Sequence, residues 1–172
     1  KGMKKIDNEI KYDEPFKNLF TQGMVCHETY KDKLGNWLYP NEIEKLSEKK
    51  IIKKKDKSEV IVGPSESMAK SKKNTIDPEI MIKQYGADAV RWFILSDSPP
   101  DKDVQWSDTG VASAGKFLQK IWNLNQKILS RKETKVLKEE DQKFNDKINL
   151  YIYKIDGSIN NFQFNVAIAQ FY

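Results

Sequence analysis

Cysteine and histidine are almost absent from this chain, and their scarcity excludes several kinds of site. Cys26 is the single cysteine and His27 the single histidine. One cysteine excludes an internal disulfide, which fits a reducing compartment, and we expect a cytoplasmic protein. The two residues are adjacent, but no second cluster completes a zinc site. We therefore expect no metal site here and structural roles for both residues.

Long apolar runs are also missing. The longest, such as the segment from Val90 to Leu95 around Arg91, are too short to span a bilayer, and no secretory signal is visible at the start. Both ends look cut. Lys1-Gly2-Met3 resembles no natural start, and the apolar-periodic segment from Asn165 to Tyr172 stops without a capping residue. We therefore expect a piece of a longer protein.

The composition is that of a soluble and rather polar protein. The 172 residues are 38% hydrophobic and 32% charged, and this length suits one domain or parts of two. A net charge of +5 and a pI near 9.0 favour an anionic partner. Ribosomal, nucleic-acid and phosphate binders all share this balance, so composition alone leaves the partner open.

The most informative stretch runs from Ser67 to Pro78 and places three lysines within four residues, ahead of an Asp-Pro step. Asp77 can cap the first turn of a helix, and proline is favoured at the first helical position. Apolar residues at helical spacing then predict a helix from Asp77 to Gly86. A lysine-rich loop beside a helix start suits a polyphosphate, because mobile ammonium groups follow charge onto a leaving pyrophosphate. A solvated basic loop is the alternative that these residues leave open.

The same stretch resembles the K-M-S-K-S signature of class I aminoacyl-tRNA synthetases and its K-x-N-x-I-D-P continuation. Met68, Lys70 and Ser71 match, whereas Ser67 stands in place of the first lysine and Ala69 in place of the first serine. The resemblance implies that Lys70 contacts ATP and is catalytic, and that Met68 and Ser71 belong to the ATP-binding site. It also implies Mg²⁺ together with the ATP. The missing first lysine removes one positive charge that the family places near pyrophosphate.

Segments before and after the loop narrow the resemblance to the leucyl-tRNA synthetases of bacterial type. The segment from Glu14 to Tyr30 resembles leucyl rather than valyl or isoleucyl enzymes, and the segment from Trp37 to Pro40 agrees. Residues 31–63 occupy the position of a leucine-specific insertion. The lysine run from Lys49 to Lys57 inside it predicts a solvated hairpin face, with contact to tRNA phosphates as the alternative. The run from Tyr85 to Arg91 resembles the family's Y-G-A-D-x-x-R element, which links the catalytic core to the anticodon-binding region.

Local patterns predict the strands of the first half. Residues 19–25 indicate a buried strand, in which Gly23 predicts close approach by a ligand or another strand, or else a bulge. Trp37-Leu38-Tyr39 predicts a short strand between two turn signals. Residues 59–62 predict another strand, which ends at Gly63-Pro64.

The second half reads as helical. One helix is predicted over residues 87–95 and is broken at Ser98-Pro99-Pro100-Asp101. A long helix starts at Trp106-Ser107-Asp108, another covers 144–159 and a third begins at Val166. The apolar face of the long helix contains Phe117, Ile121, Leu124 and Ile128. An apolar stripe at this spacing predicts that the face packs into the protein core, with a surface for a partner as the second interpretation.

These elements predict an α/β piece joined near residue 100 to an all-α piece. By resemblance, the first is the C-terminal part of a class I nucleotide-binding, Rossmann-like catalytic core with a small strand-rich insertion, and the second is a truncated helical bundle. The expected divisions are residues 1–30 for the end of the core strand region, 31–63 for the insertion, 64–100 for the signature loop and connecting helices, and 101–172 for the anticodon-binding-type bundle.

The resemblance implies a parent enzyme that activates leucine with ATP to leucyl-adenylate and transfers it to tRNA(Leu), as a monomer. The H-I-G-H motif of such enzymes is not in this sequence, so we expect the fragment alone to be inactive. The basic residues near one another in the helical part are candidate tRNA contacts: Lys116, Lys120, Lys127, Arg131 and Lys132. Two alternatives stay open, a valyl- or isoleucyl-type enzyme and a non-catalytic basic RNA-binding module.

Overall fold

The computed structural model describes residues 9, 16, 18–47, 50–131 and 138–172, with side chains of the last range described from residue 142. Apart from Glu9, residues 1–12 of the predicted core strand region lie outside the described residues, as do Glu14, Pro15, Lys49 and Lys132. The described chain forms a small mixed sheet with an attached hairpin, followed by helices. None of the described helices is both long and apolar enough to cross a membrane.

Strand β1 (Val25–Lys31) is the centre of the sheet. Strand β5 (Ile61–Ser67) pairs antiparallel with one edge of it. The other edge pairs with β2 (Trp37–Leu38), antiparallel, and with β6 (Val104–Gln105), parallel. The chain thus returns to the sheet after the Ser98–Asp101 break and before the long helix.

The predicted strand over residues 19–25 is wrong apart from its last residue. Residues 18–24 lie outside any strand, and Leu19 is 89% exposed. Apolar, strand-forming residues do not make a strand without a partner, and pairing begins only at Val25, where β5 and β6 flank the chain. Gly23 does mark a close approach by another segment. Its N–H donates to the Pro100 carbonyl at 2.8 Å, and a Cβ there would lie 2.0 Å from the Lys102 carbonyl oxygen.

Strand β5 does not end at Gly63-Pro64 as predicted, but continues to Ser67. The register with β1 shifts at Glu28 and Thr29, so that Pro64 is the extra residue of a bulge. A bulge tolerates proline because the extra residue donates no ladder hydrogen bond. The buried Thr29 hydroxyl donates to the Pro64 carbonyl at 3.1 Å, which fixes the irregular register.

The segment between β2 and β5 contains a two-stranded hairpin, β3 (Ile43–Ser47) and β4 (Lys50–Lys53). A 3-10 turn over Pro40–Glu42 precedes it. One apolar cluster joins hairpin and sheet: Tyr30, Leu38, Ile43, Ile51 and Val60. The predicted short strand at residues 37–39 is confirmed for Trp37 and Leu38.

Two short helices follow the lysine loop as predicted. Helix α1 (Pro78–Tyr85) begins after Asp77, whose carboxylate accepts from Glu79 N–H at 2.9 Å. Gly86 ends it with φ of 86°, a value that a glycine adopts without strain, and helix α2 (Ala87–Asp97) starts directly afterwards.

Three further helices complete the described chain: α3 (Asp108–Leu129), α4 (Lys138–Asn160) and α5 (Phe164–Ala169). Helix α2 packs against α3 and α5. The second apolar cluster forms where α2, β6 and the first turns of α3 meet: Ala89, Phe93, Val104, Val111 and Ala114.

The prediction that the apolar stripe of α3 is core holds only for its beginning. Val111 is fully buried, whereas Trp122 is 60% exposed, Leu124 55% and Ile128 55%. Within the described residues, α2 and its neighbours cover only the first half of this helix, because Phe117 and Leu118 are half-buried and residues 119–129 are exposed. Periodicity identifies the apolar face of a helix but not how far along it a neighbour reaches.

Candidate nucleotide-binding loop

The lysine loop begins where β5 leaves the sheet. Met68 N–H still donates to the Val25 carbonyl at 3.0 Å, after which Lys70–Lys72 form a short 3-10 turn. Lys73 adopts a left-handed conformation with φ of 52° and closes this turn by donating to the Lys70 carbonyl at 3.2 Å. These local bonds give the loop a defined path between the sheet and α1.

The residue that holds this path is Asn74, whose role the sequence reasoning missed. Its side chain is fully buried. The amide oxygen accepts from Ala69 N–H at 2.9 Å, and the amide nitrogen donates to the carbonyls of His27 at 3.2 Å and Glu66 at 3.1 Å. The only signal was the asparagine of the K-x-N-x-I-D-P pattern, which carries no indication of burial.

The three lysines of the loop differ in what their ammonium groups contact. Lys72 forms an ion pair with Glu66 of β5. Lys73 lies over the ring of Tyr39, 5.2 Å from its centroid, in a cation–π contact. Lys70 is exposed, and within the part of the chain that the structure describes its ammonium group has no ion pair or hydrogen bond. Lys70 is therefore the lysine of this loop that is available to a ligand.

A cavity of about 670 Å³ lies between this loop, α1 and the turn before the hairpin. Lys70 lines it together with residues of the helix start, the turn and α3: Tyr39, Pro40, Asn41, Thr75, Ile76, Asp77, Pro78, Ile80, Met81 and Asp108. The cavity thus combines the cation of Lys70 and an apolar wall with two carboxylates, of which Asp77 caps α1 and Asp108 accepts from Trp106 Nε1. Such a site suits a molecule with a planar apolar part and an anionic part.

The other predicted residues of the signature lie in the same loop but do not line this cavity. Met68 is half-buried and held to β1 by its backbone, and Ser71 is exposed on the 3-10 turn. Ser67 is the last residue of β5, with its Oγ 3.9 Å from Cys26 Sγ, and Ala69 is extended at the start of the turn. The structure therefore brings the five signature residues together, with Lys70 alone facing the cavity.

The two rare residues have structural surroundings. Cys26 is buried in β1, and His27 Nδ1 lies 2.9 Å from the Glu28 carbonyl oxygen. Across the described residues, no group of three His, Cys, Asp or Glu side chains is placed to hold a metal ion.

Glu28 links β1 to the lysine-rich hairpin. Its carboxylate accepts from Lys45 Nζ at 2.8 Å and from the Tyr30 hydroxyl at 2.7 Å. The hydrogen bond from Lys45 is the main cause that lowers the pKa of Glu28. Burial, and then the bond to Glu28, raise the pKa of Tyr30, which therefore stays a neutral donor.

The candidate tRNA contacts form an exposed row on α3. Lys116, Lys120 and Lys127 lie within about 40° of one another around the helix axis, given 3.6 residues per turn. Arg131 is exposed just beyond the end of the helix. Val111 and Ala114 are buried on the opposite side, so the row faces away from the packed core.

Comparisons with known proteins agree on one family. A family profile for tRNA synthetases class I (I, L, M and V) matches residues 58–107, which include the lysine loop, α1 and α2. The leucine–tRNA ligase of Bartonella henselae is 45% identical over 170 residues, which cover 95% of this chain and 19% of that protein. The leucine–tRNA ligase of Rickettsia canadensis is 47% identical over 171 residues, covering 96% and 20%.

The fold has a solved counterpart. A crystal structure described as the ternary complex of an Agrobacterium radiobacter LeuRS with tRNA and LeuAMS superposes with a TM-score of 0.66 at 24% identity. It covers 98% of this chain and 18% of that one. This chain spans about a fifth of the length of the curated relatives that it matches. The chain belongs to the leucine–tRNA ligase family of class I tRNA synthetases.

Proposed function

We propose that this chain is the segment of a leucine–tRNA ligase that supplies one side of the ATP site and the start of the tRNA-docking surface. The observation that carries the proposal is the placement of Lys70, an exposed cation that has no ion pair among the described residues and lines a cavity at the start of α1. The reaction would join leucine and ATP, taken up with Mg²⁺, into leucyl-adenylate. Leucine would then pass to tRNA(Leu).

The chemistry gives Lys70 a defined task. The leucine carboxylate attacks the α-phosphorus of ATP, the bond from that phosphorus to the bridging oxygen breaks, and pyrophosphate leaves. Negative charge accumulates on the leaving group, and a cation placed there lowers the barrier more than it strengthens substrate binding. Met68 and Ser71 would contact ATP from the same loop. The complementary half of the site, with its H-I-G-H motif, would come from the rest of the ligase, so this segment alone is proposed to be inactive.

The proposed architecture follows the same family. Residues 1–30 and 64–100 would belong to the C-terminal part of a Rossmann-like core, and residues 31–63 to its leucine-specific insertion. Residues 101–172 would begin the anticodon-binding helical bundle, whose further helices would cover the exposed apolar side chains of α3. The row of Lys116, Lys120 and Lys127, with Arg131, would then face tRNA phosphates. A monomeric, cytoplasmic ligase is part of this proposal.

Amino-acid-dependent exchange of pyrophosphate into ATP by the full-length ligase tests the function. We expect exchange with leucine and a rate at least about 100-fold lower with valine or isoleucine at equal concentration, since synthetases discriminate related side chains by that order. Preference for valine or isoleucine would favour a sister enzyme. Binding of tRNA without exchange for any of the three would favour a non-catalytic RNA-binding module.

A further inference from the structure

One buried side chain connects the lysine loop to both strands beneath it. Asn74 is fully buried, although Lys70 and Ser71, a few residues before it, are exposed. Its carboxamide bonds to β1 through the His27 carbonyl, to β5 through the Glu66 carbonyl and to the loop through Ala69 N–H. Strand β1, which is distant in sequence, thus meets the end of β5 and the loop that follows it at one amide group.

The bond to Ala69 acts on the residue that directly precedes Lys70. Ala69 is extended, with φ of −144° and ψ of 137°, and the Asn74 oxygen is the acceptor of its N–H. This bond sets the direction in which the chain leaves β5 and enters the turn at Lys70. A displacement of Ala69 would therefore move Lys70 relative to the cavity that it lines.

The carboxamide is suited to this connection because it offers an acceptor and two donors at once. An aspartate has the same shape and keeps the acceptor for Ala69, but its charged form cannot donate to the two strand carbonyls. An alanine provides neither. Because Asn74 is fully buried, either loss is costly, since a buried polar group left without its partner has no compensating hydrogen bond.

We propose that Asn74 is a positioning residue for leucine activation, which holds the loop so that Lys70 meets the leaving pyrophosphate. This inference rests on the proposed function, because it assigns Asn74 a role in that reaction. It predicts that loss of Asn74 lowers the turnover of activation and does more than loosen the fold. Asn74 touches no substrate in this account and acts through Ala69 and Lys70.

A control for loss of a buried polar bond exists in the same pair of strands. Thr29 is 1% exposed, and its hydroxyl bonds to the Pro64 carbonyl of β5, but it makes no bond to the loop. Thr29→Val removes that bond while keeping the shape of the side chain. Asn74→Ala and Thr29→Val therefore both weaken the contact between β1 and β5, and only the first releases Ala69.

The experiment measures leucine-dependent pyrophosphate exchange and thermal unfolding of the full-length ligase and its variants. We expect Asn74→Ala to lower kcat at least about tenfold with the KM for leucine unchanged, and Thr29→Val to stay within about twofold of wild type. Asn74→Asp, which keeps the acceptor for Ala69, is expected to fall between them. If Asn74→Ala does not fold, Asn74→Leu takes its place under the same criterion, because leucine has the same branching at Cγ but no atom that accepts from Ala69 N–H. The proposal would be overturned if Asn74→Ala and Thr29→Val lowered the melting temperature equally and also lowered kcat equally.

Amide hydrogen exchange gives a readout that does not need activity. In the full-length ligase, peptides covering residues 66–73 should exchange at least about tenfold faster in Asn74→Ala than in Thr29→Val, because Ala69 N–H loses its acceptor. Unchanged exchange there would show that the amide does not hold the loop. A wild-type ligase that fails to exchange pyrophosphate with leucine would refute the proposed function. The hydrogen-exchange result would still decide whether Asn74 holds the loop.

Discussion

Two lysine-rich regions of this chain look alike in composition and differ in structure. The loop has Lys70, Lys72 and Lys73, and the hairpin has a run that ends at Lys57. In the loop, two lysines are held by Glu66 and Tyr39, and the third lines a cavity at a helix start. Just after the hairpin, Lys57 pairs with Glu44 of β3 on an exposed surface, while Lys54 and Lys55 are exposed in a turn.

The difference lies in what fixes each backbone. A fully buried asparagine bonds the loop to two strands, so the position of Lys70 is set by groups that water cannot replace. At the hairpin, strand pairing and the buried Ile51 fix the backbone, and the surface ion pairs of Lys45 and Lys57 contribute about 0–1 kcal/mol each. The number of lysines is therefore a weak indication of function. The position of a lysine beside a cavity, in a loop bonded to the buried Asn74, is a stronger one.

The largest effect should come from Lys70→Ala. In the full-length ligase we expect leucine-dependent pyrophosphate exchange to fall by roughly 100-fold or more, because a cation aimed at transition-state charge contributes about 3 kcal/mol. Leucine binding should change little, since we propose that the ammonium group acts on the leaving pyrophosphate. An unchanged exchange rate would remove Lys70 from the mechanism and leave a solvated basic loop.

The row of basic residues on α3 should give the next largest effect. By itself, the chain should bind tRNA(Leu) weakly and with a steep dependence on salt. The variant Lys116→Ala/Lys120→Ala/Lys127→Ala should reduce the slope of log affinity against log salt by about 2–3, at roughly 0.9 or less per phosphate contact. Filter binding across a salt series measures this. Lys54→Ala/Lys55→Ala is the comparison, and an equal reduction there would contradict a specific role of the α3 row and favour tRNA contact by the lysine run as well.

The sequence predicted those structural features that depend on residues close together in the chain, and it missed those that depend on distant partners. The starts of α1 at Asp77-Pro78 and of α3 at Ser107-Asp108 were predicted correctly, because a capping side chain bonds to amides two or three residues away. The strand over residues 19–25 was wrong, because strand formation depends on a partner distant in sequence. The burial of Asn74 was missed for the same reason, since its partners His27 and Glu66 come from two different strands.

Restoring the two unusual signature residues should have a moderate effect. Ser67→Lys with Ala69→Ser in the full-length ligase should raise the activation rate several-fold, with the lysine providing most of the gain. A full charge near developing charge outweighs one neutral hydrogen bond of about 1 kcal/mol. Melting temperature should hardly change, because Ser67 is exposed. Pyrophosphate exchange on the single and double variants separates the two contributions. A double variant no faster than wild type would mean that other groups already neutralise the pyrophosphate.

The smallest effect concerns the contact between the hairpin and the sheet. The folded pKa of Glu28 is lowered from 4.5, chiefly by Lys45, so this pair stabilises the fold above about pH 4.5 and stops doing so as pH falls through the lowered pKa. Lys45→Met should therefore cost stability at pH 7, by less than about 1 kcal/mol for a partly exposed pair. Thermal unfolding of the wild type and of Lys45→Met at pH 7 and pH 3 checks this. If wild type and Lys45→Met differ in stability by the same amount at both pH values, the charge interaction between Glu28 and Lys45 is not the cause of the difference.

The central claim is that the placement of Lys70, and not the number of lysines, accounts for function. The most direct test compares two variants that remove different numbers of lysines in one assay. Lys54→Ala/Lys55→Ala removes two positive charges from the turn that follows β4, and Lys70→Ala removes one from the loop. If the placement of a lysine determines activity and the number of lysines does not, leucine-dependent pyrophosphate exchange should stay within about twofold of wild type in the double variant. The same exchange should fall roughly 100-fold in Lys70→Ala. A double variant that loses as much activity as Lys70→Ala would contradict the account, because positive charge alone would then suffice.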